Sequence, residues 1–146
     1  MPARAGPPLG VRLDSVARRV SRAFEEAMAE AGGSRSIWLV LFTVRTTSEP
    51  MTQRQLADRL QLRGATLTHH LAAMESRGLV ERVRSDQDKR EVRVGLTPEG
   101  DALFGRLRQV AVRFDAQLRR GLTEAETGVL HDLLGRLERN VEVAPD

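Results

Sequence analysis

Residues 51–80 read MTQRQLADRLQLRGATLTHHLAAMESRGLV, and residues 81–100 continue as ERVRSDQDKREVRVGLTPEG. Thr52 followed three positions later by Gln55 is a capping box, in which side chain and backbone satisfy two orphan amides reciprocally. Leu56, Ala57 and Leu60 fall on one face of the helix it opens. A tight turn at Gln61-Leu62-Arg63 leads into a second helix from about Gly64 to Arg77, with Leu67, Leu71 and Met74 on its apolar face. Gly78 is placed to close it with a left-handed cap. The other face carries Thr66, Thr68, His69, Ala72 and Ala73. These are small or hydrogen-bonding side chains without a carboxylate, able to approach a base edge closely. Two helices joined in this way, the second polar on its outer side, make the helix-turn-helix pattern. After it, Leu79 to Arg84 and Glu91 to Leu96 each alternate apolar and polar with period two, separated by Ser85-Asp86-Gln87-Asp88-Lys89-Arg90. That predicts a two-stranded hairpin with a charged tip, a wing.

Working upstream, Leu13, Val16, Ala17, Val20, Phe24, Ala27, Met28 and Ala31 recur at helical spacing until Gly32-Gly33 end the run. Ser34 or Ser36 can cap the next element. Ile37 to Val44 is apolar nearly all round, so periodicity leaves strand and helix open; the serines before it and the polar loop Thr46 to Pro50 after it favour a buried helix. Downstream, Thr97-Pro98-Glu99 supplies an N-cap threonine, a proline at the first helical position and an acid in the first turn. The helix it opens runs to about Arg120, with Leu103, Phe104, Leu107, Val110, Ala111, Phe114 and Leu118 along its apolar face. Gly121 ends it. Thr123 and Glu126 then form a second capping box, for a final helix through roughly Arg139 that carries Val129, Leu130, Leu133, Leu134 and Leu137.

The expected fold is mainly α with a small β-hairpin wing: a winged helix-turn-helix flanked by long N- and C-terminal dimerisation helices. Residues 1–8 read as a disordered leader, 9–33 as an N-terminal dimerisation helix and 34–97 as the DNA-binding domain. Residues 98–140 read as C-terminal dimerisation helices and 141–146 as a tail. Three long amphipathic helices outside the motif carry more apolar surface than a small winged domain covers, so a two-fold homodimer is expected. Completing the core of one chain is the alternative.

Composition narrows the function. The 146 residues suit one domain with helical extensions, and 40% hydrophobic content is enough for a core. Lys89 is the single lysine among 23 basic residues, and the net charge is only +3. Arginine suits phosphate and guanine recognition through its planar fork, although an arginine-rich proteome would give the same bias. No cysteine is present, which excludes a disulfide framework, a thiolate zinc site and a thiol redox switch. No apolar run approaches the length of a membrane span. The start, MPARAGPPLG, lacks an h-region and cleavage signal, so a cytoplasmic protein is expected. His69 and His70 are adjacent and His131 is distant, so no helical histidine pair offers a zinc site and no cofactor is expected. An enzyme is not expected either: the chain lacks a cysteine nucleophile, a phosphate-binding glycine loop and a G-x-S-x-G elbow.

The element order, together with several local runs, resembles the MarR family of bacterial winged-helix regulators. The matching residues are Gln55-Leu56-Ala57 with Leu60, then Ala65-Thr66-Leu67-Thr68 and Leu71, then Glu75 with Arg77-Gly78-Leu79-Val80. They continue through Asp88-Lys89-Arg90 to Leu96-Thr97-Pro98-Glu99-Gly100. The resemblance covers essentially the whole folded chain and is densest over residues 51–100. It implies a DNA-binding transcription regulator, most simply a repressor that meets double-stranded DNA as a homodimer. The second motif helix would enter the major groove with Arg63, Thr66, Thr68 and His69 near bases and phosphates. His69 stands where relatives often carry arginine. The wing would bring Arg90 to the minor groove, with Asp88 holding its guanidinium. Lys89, Arg82, Arg84 and Arg54 would be phosphate contacts, against the alternative of solvated arginines.

Many members of that family release DNA when a small, often aromatic, anion binds between the dimerisation helices and the winged domain. The resemblance therefore makes Arg18, Arg22, Trp38, Phe42 and His70 candidate ligand-binding residues for a small aromatic carboxylate. His70 follows His69 about 100° further round the helix, so it is expected to turn towards the protein. The competing reading places Trp38 and Phe42 in the core and satisfies His70 with a backbone carbonyl. The competing function is an architectural or protein-interaction module without ligand control.

Overall fold

Local capping explains most of the helix boundaries. In the computed structural model, which describes residues 6–142, the order is α1 Leu9–Glu30, α2 Arg35–Thr46, β1 Met51–Thr52, α3 Gln53–Leu60 and α4 Gly64–Ser76. There follow β2 Val80–Arg84, β3 Val92–Leu96, α5 Pro98–Leu118 and α6 Glu124–Glu142. Residues 1–5 of the expected leader and 143–146 of the expected tail lie outside the described residues. The chain divides into two compact units, Met1–Ala111 and Val112–Asp146, with α5 running from the first into the second.

In the first unit, Ser34 rather than Ser36 caps α2, its hydroxyl accepting from the Ile37 amide at 3.1 Å. The Glu25 carboxylate accepts from the Arg35 amide at 2.8 Å, so two of the free amides at this helix start are taken. The apolar run 37–44 is helical, as the flanking caps imply. At α3 the expected capping box is complete: the Gln55 amide donates to Thr52 Oγ1 at 3.1 Å, and the Thr52 amide to Gln55 Oε1 at 2.9 Å. Thr52→Ala should lower stability by about 1 kcal/mol, read as a lower denaturation midpoint with the slope unchanged. Gln61 takes the left-handed conformation, φ 54°, at the end of α3, and this makes the tight turn into α4.

The sheet departs from the expected two-stranded hairpin. It has three strands in the order β1-β3-β2, all antiparallel, with Met51 opposite Val94 and Thr52 opposite Arg93. A two-residue strand cannot display alternation, but its first residue is decisive in three dimensions: Met51 is buried. The core draws on every element of this unit: Met28, Val40 and Leu41, then Leu56, Leu67, Leu71 and Met74, then Val80 and Val94, and Leu103 and Leu107 of α5. The three apolar positions read on α4 are thus all inward, each contributing roughly 1.5–3 kcal/mol by burial.

The start of α5 is fastened to the loop after α4. The Thr97 amide donates to Leu79 O at 3.2 Å, its hydroxyl donates to Gly78 O, and the Gly100 amide donates back to Thr97 Oγ1 at 3.0 Å. Gly78 closes α4 at φ 68°, the conformation expected of it. A Cβ on Gly100 would lie 1.9 Å from Leu79 O.

In the second unit, the Thr123–Glu126 capping box forms as expected, the Glu126 amide donating to Thr123 Oγ1 at 3.2 Å and the Thr123 amide to Glu126 Oε2 at 2.8 Å. That backbone hydrogen bond, helped by the Thr123 hydroxyl, lowers the pKa of the Glu126 carboxyl. Helix α6 continues to Glu142, past the Asn140 boundary expected for the tail. None of its residues is buried: Val129, Leu130, Leu133 and Leu134 are 42–57% exposed in the single chain. No helix among the described residues is long and apolar enough to cross a membrane.

Candidate nucleic-acid interface

The outer face of α4 is open. Thr66, Thr68, His69, Ala72 and Ala73 are all exposed, as is Arg63 at the helix start. Between this helix, the N-terminus of α3 and the wing lies a groove of about 710 Å³, lined in part by Arg54, Thr68, Asp88 and Arg90. Four of the expected DNA-contact residues therefore converge on one concave surface. Lys89 and Arg84 are exposed on the wing.

Two of the expected roles change. Asp88 does not grip the Arg90 guanidinium; its Oδ1 accepts from the Arg90 backbone amide at 2.9 Å, and its carbonyl accepts from the Glu91 amide at 2.9 Å. An aspartate two residues before an amide closes a local turn of its own, so Asp88 shapes the wing tip and leaves the Arg90 side chain exposed. Arg82 is not a free cation. Its Nε and Nη2 both lie 2.7 Å from Glu75 Oε2, with the arginine side chain 27% exposed. This pair ties β2 to α4. Arg82→Ala should accordingly lower the unfolding midpoint and leave the salt dependence of DNA binding unchanged. A slope reduced by about one unit would return Arg82 to the phosphate contacts.

The candidate ligand residues do not form one cluster. Trp38 stacks on Phe104 of α5, with centroids 5.6 Å apart and planes 5° from parallel, and meets Phe42 at 5.3 Å, tilted by 40°. Phe42 is 44% exposed, so this aromatic group reaches the surface. His70 lies elsewhere, lining a cavity of about 190 Å³ with Ser34, Ser36, Ile37, Met74 and Arg77. As expected, its ring is half-buried while that of His69 is exposed. Arg18 pairs with Asp14 one turn earlier at 2.9 Å and is otherwise solvated, and Arg22 is exposed. Sequence reasoning placed Phe104 only on an apolar helix face. Its stacking under Trp38 is a contact between distant segments that helical spacing does not encode.

Residues 34–100 match the family described as a winged helix DNA-binding domain. PecS of Dickeya dadantii (strain 3937), an HTH-type transcriptional regulator, is 28% identical over 131 residues, spanning 88% of this chain and 79% of PecS. YwoH of Bacillus subtilis (strain 168), an uncharacterised HTH-type transcriptional regulator, is 30% identical over 107 residues, spanning 73% of this chain and 77% of YwoH. Among solved structures, a mutant MarR from E. coli complexed with operator DNA is 28% identical, with a TM-score of 0.81 over 90% of this chain and 94% of that one. The chain belongs to the MarR family. A second DNA complex, the transcriptional repressor CouR bound to a 23-mer duplex, is 26% identical with a TM-score of 0.82, covering 90% of this chain and 92% of CouR. This MarR-family chain is thus a DNA-binding transcriptional regulator, and the exposed face of α4 with the adjoining wing is its candidate contact surface.

Proposed function

We propose that the protein is a homodimeric repressor acting on the DNA of the cytoplasm, and that it grips a pseudo-palindromic operator with two copies of the groove between α4 and the wing. The observation that carries this reading is the convergence of Arg54, Thr68 and Arg90 on that groove, which Asp58, Asp88 and Glu91 also line, beside the exposed small and hydrogen-bonding side chains Thr66, His69, Ala72 and Ala73. Arg63, Thr66 and His69 meet bases and phosphates, and Arg84 and Lys89 meet phosphates and fix register. The repressor role is suggested by CouR, which is described as one. The second copy is supported by α6, whose four central apolar side chains are left about half exposed in one chain; a contiguous exposed apolar face of this kind marks an interaction surface. Two-fold symmetry sets half-sites about one helical turn apart.

A small aromatic acid lowers the DNA affinity of this dimer. The exposed edge of the Trp38, Phe42 and Phe104 cluster offers the stacking surface, and the exposed guanidinium of Arg22 on α1 offers the charge. His70 monitors the separate cavity beside α4. Footprinting on the protein's own promoter region, with and without a panel of phenolic acids, tests all three parts. Protected half-sites one turn apart, released by an acid that also quenches Trp38, are expected. Salt-sensitive binding without a footprint would instead make the protein an architectural module. Sedimentation of a monomer at micromolar concentration would remove the dimer.

A further inference from the structure

Thr68 is exposed on the outer face of α4, yet its hydroxyl is already engaged by the protein. Thr68 Oγ1 lies 2.9 Å from Gly64 O, one turn back along the helix, and 2.6 Å from Gln53 Nε2 of α3. A carbonyl can only accept, so the single hydroxyl proton goes to Gly64 O. Gln53 must then present its amide NH₂, which occupies one of the two lone pairs. A threonine hydroxyl bonded back to the i−4 carbonyl is held in one rotamer. What Thr68 has left for a ligand is a methyl group and one acceptor lone pair. It has no proton to give to guanine O6 or N7, or to thymine O4.

We infer that Thr68 reads the C5 methyl of a pyrimidine in the major groove through its own methyl, and that Gln53 is the positioning residue that keeps it turned that way. The chemistry fits the site. Thymine presents a methyl at the major-groove edge, and apolar contact from threonine is one of the direct ways of reading it. The inference rests on the placing of α4 in the major groove proposed above. Gln53 occupies the first position of α3, immediately after the capping threonine, so the first residue of α3 holds the reader on α4. Neither Thr66 nor His69 carries a hydrogen bond of this kind to α3, which leaves Thr68 as the position whose readout is preset before DNA arrives.

The test uses the full chain and duplexes selected by it from a random pool, with each thymine of a half-site replaced in turn by deoxyuridine. That exchange removes only the C5 methyl. At one position per half-site, the wild type and Thr68→Val should both lose about fourfold in affinity, the worth of one buried methyl-sized group. Thr68→Ser, which keeps the hydroxyl and lacks the methyl, should bind thymine and uracil equally there. Gln53→Leu should reduce the thymine preference in the wild-type background and change nothing further in the Thr68→Val background. A Thr68→Val variant that folds and dimerises but loses tenfold or more on every duplex would overturn the inference, since the hydroxyl would then be the reader. So would a complete set of exchanges in which wild type and Thr68→Ser respond alike. If, in addition, Thr66→Ala and His69→Ala bind all the duplexes as the wild type does, the placing of α4 in the groove has failed as well.

Discussion

Gly100→Ala should lower stability by about 3 kcal/mol or more, the largest effect expected of any single methyl in this chain. The added Cβ would sit 1.9 Å from Leu79 O and 2.9 Å from its carbonyl carbon. Those are backbone atoms, and a carbonyl cannot rotate aside as the end of a flexible side chain can. Leu79 O is itself held by the Thr97 amide at 3.2 Å, so relief requires the start of α5 to lift away from the loop after α4. Lifting would strain the Thr97 hydroxyl bond to Gly78 O and the burial of Leu103 and Leu107 beyond it. Denaturant unfolding followed by circular dichroism measures the loss. A change below about 0.5 kcal/mol, the range of an ordinary surface substitution, would mean that the junction yields. Gly33 makes a useful comparison. A Cβ there would meet Leu107 Cδ1 at 2.6 Å, but the obstacle is a leucine side chain, so Gly33→Ala should cost less than Gly100→Ala.

Arg90→Ala should weaken operator binding roughly tenfold or more, which corresponds to about 1.4 kcal/mol. The Arg90 side chain is exposed at the wing tip, and its backbone amide is fixed by Asp88. A free guanidinium on a fixed backbone suits a narrow minor groove, whose enhanced negative potential attracts arginine. Arg90→Lys separates charge from shape: it should restore the salt dependence of binding while recovering only part of the affinity, because a point charge lacks the planar fork. Fluorescence anisotropy at one fixed salt concentration, then over a salt series, measures both. Unchanged affinity of Arg90→Ala would sink the minor-groove reading of the wing. Asp88→Ala should act through the same tip indirectly, by loosening the turn that positions Arg90.

The helices were legible in the sequence because their ends are written locally. Thr52 with Gln55, Thr123 with Glu126, and Gly78 each act within about one turn, so residue identity at fixed spacing suffices to locate them. The apolar face of α4 was legible for the same reason. Strand β1 was not, because two residues carry no period and only the approach of Val94 makes Met51 a strand residue. At the site, sequence reasoning gathered Arg54, Thr68 and Arg90, which do share a groove. It misassigned what Asp88 holds, since backbone and guanidinium compete for one carboxylate and local turn geometry decides between them. It left Arg82 free, since Glu75 faces it across the loop that follows α4. Residue type and spacing pick out the charged groups, but packing decides which of them the protein itself engages.

The fastening at Thr97 has a mechanical side. Thr97 bonds to both Gly78 and Leu79, directly after the last turn of α4, and the next residue already belongs to α5. There is no slack residue between the two helices' fastening points. The end of α4 and the start of α5 thus share one anchor, and a displacement of either helix end loads the same two hydrogen bonds of Thr97.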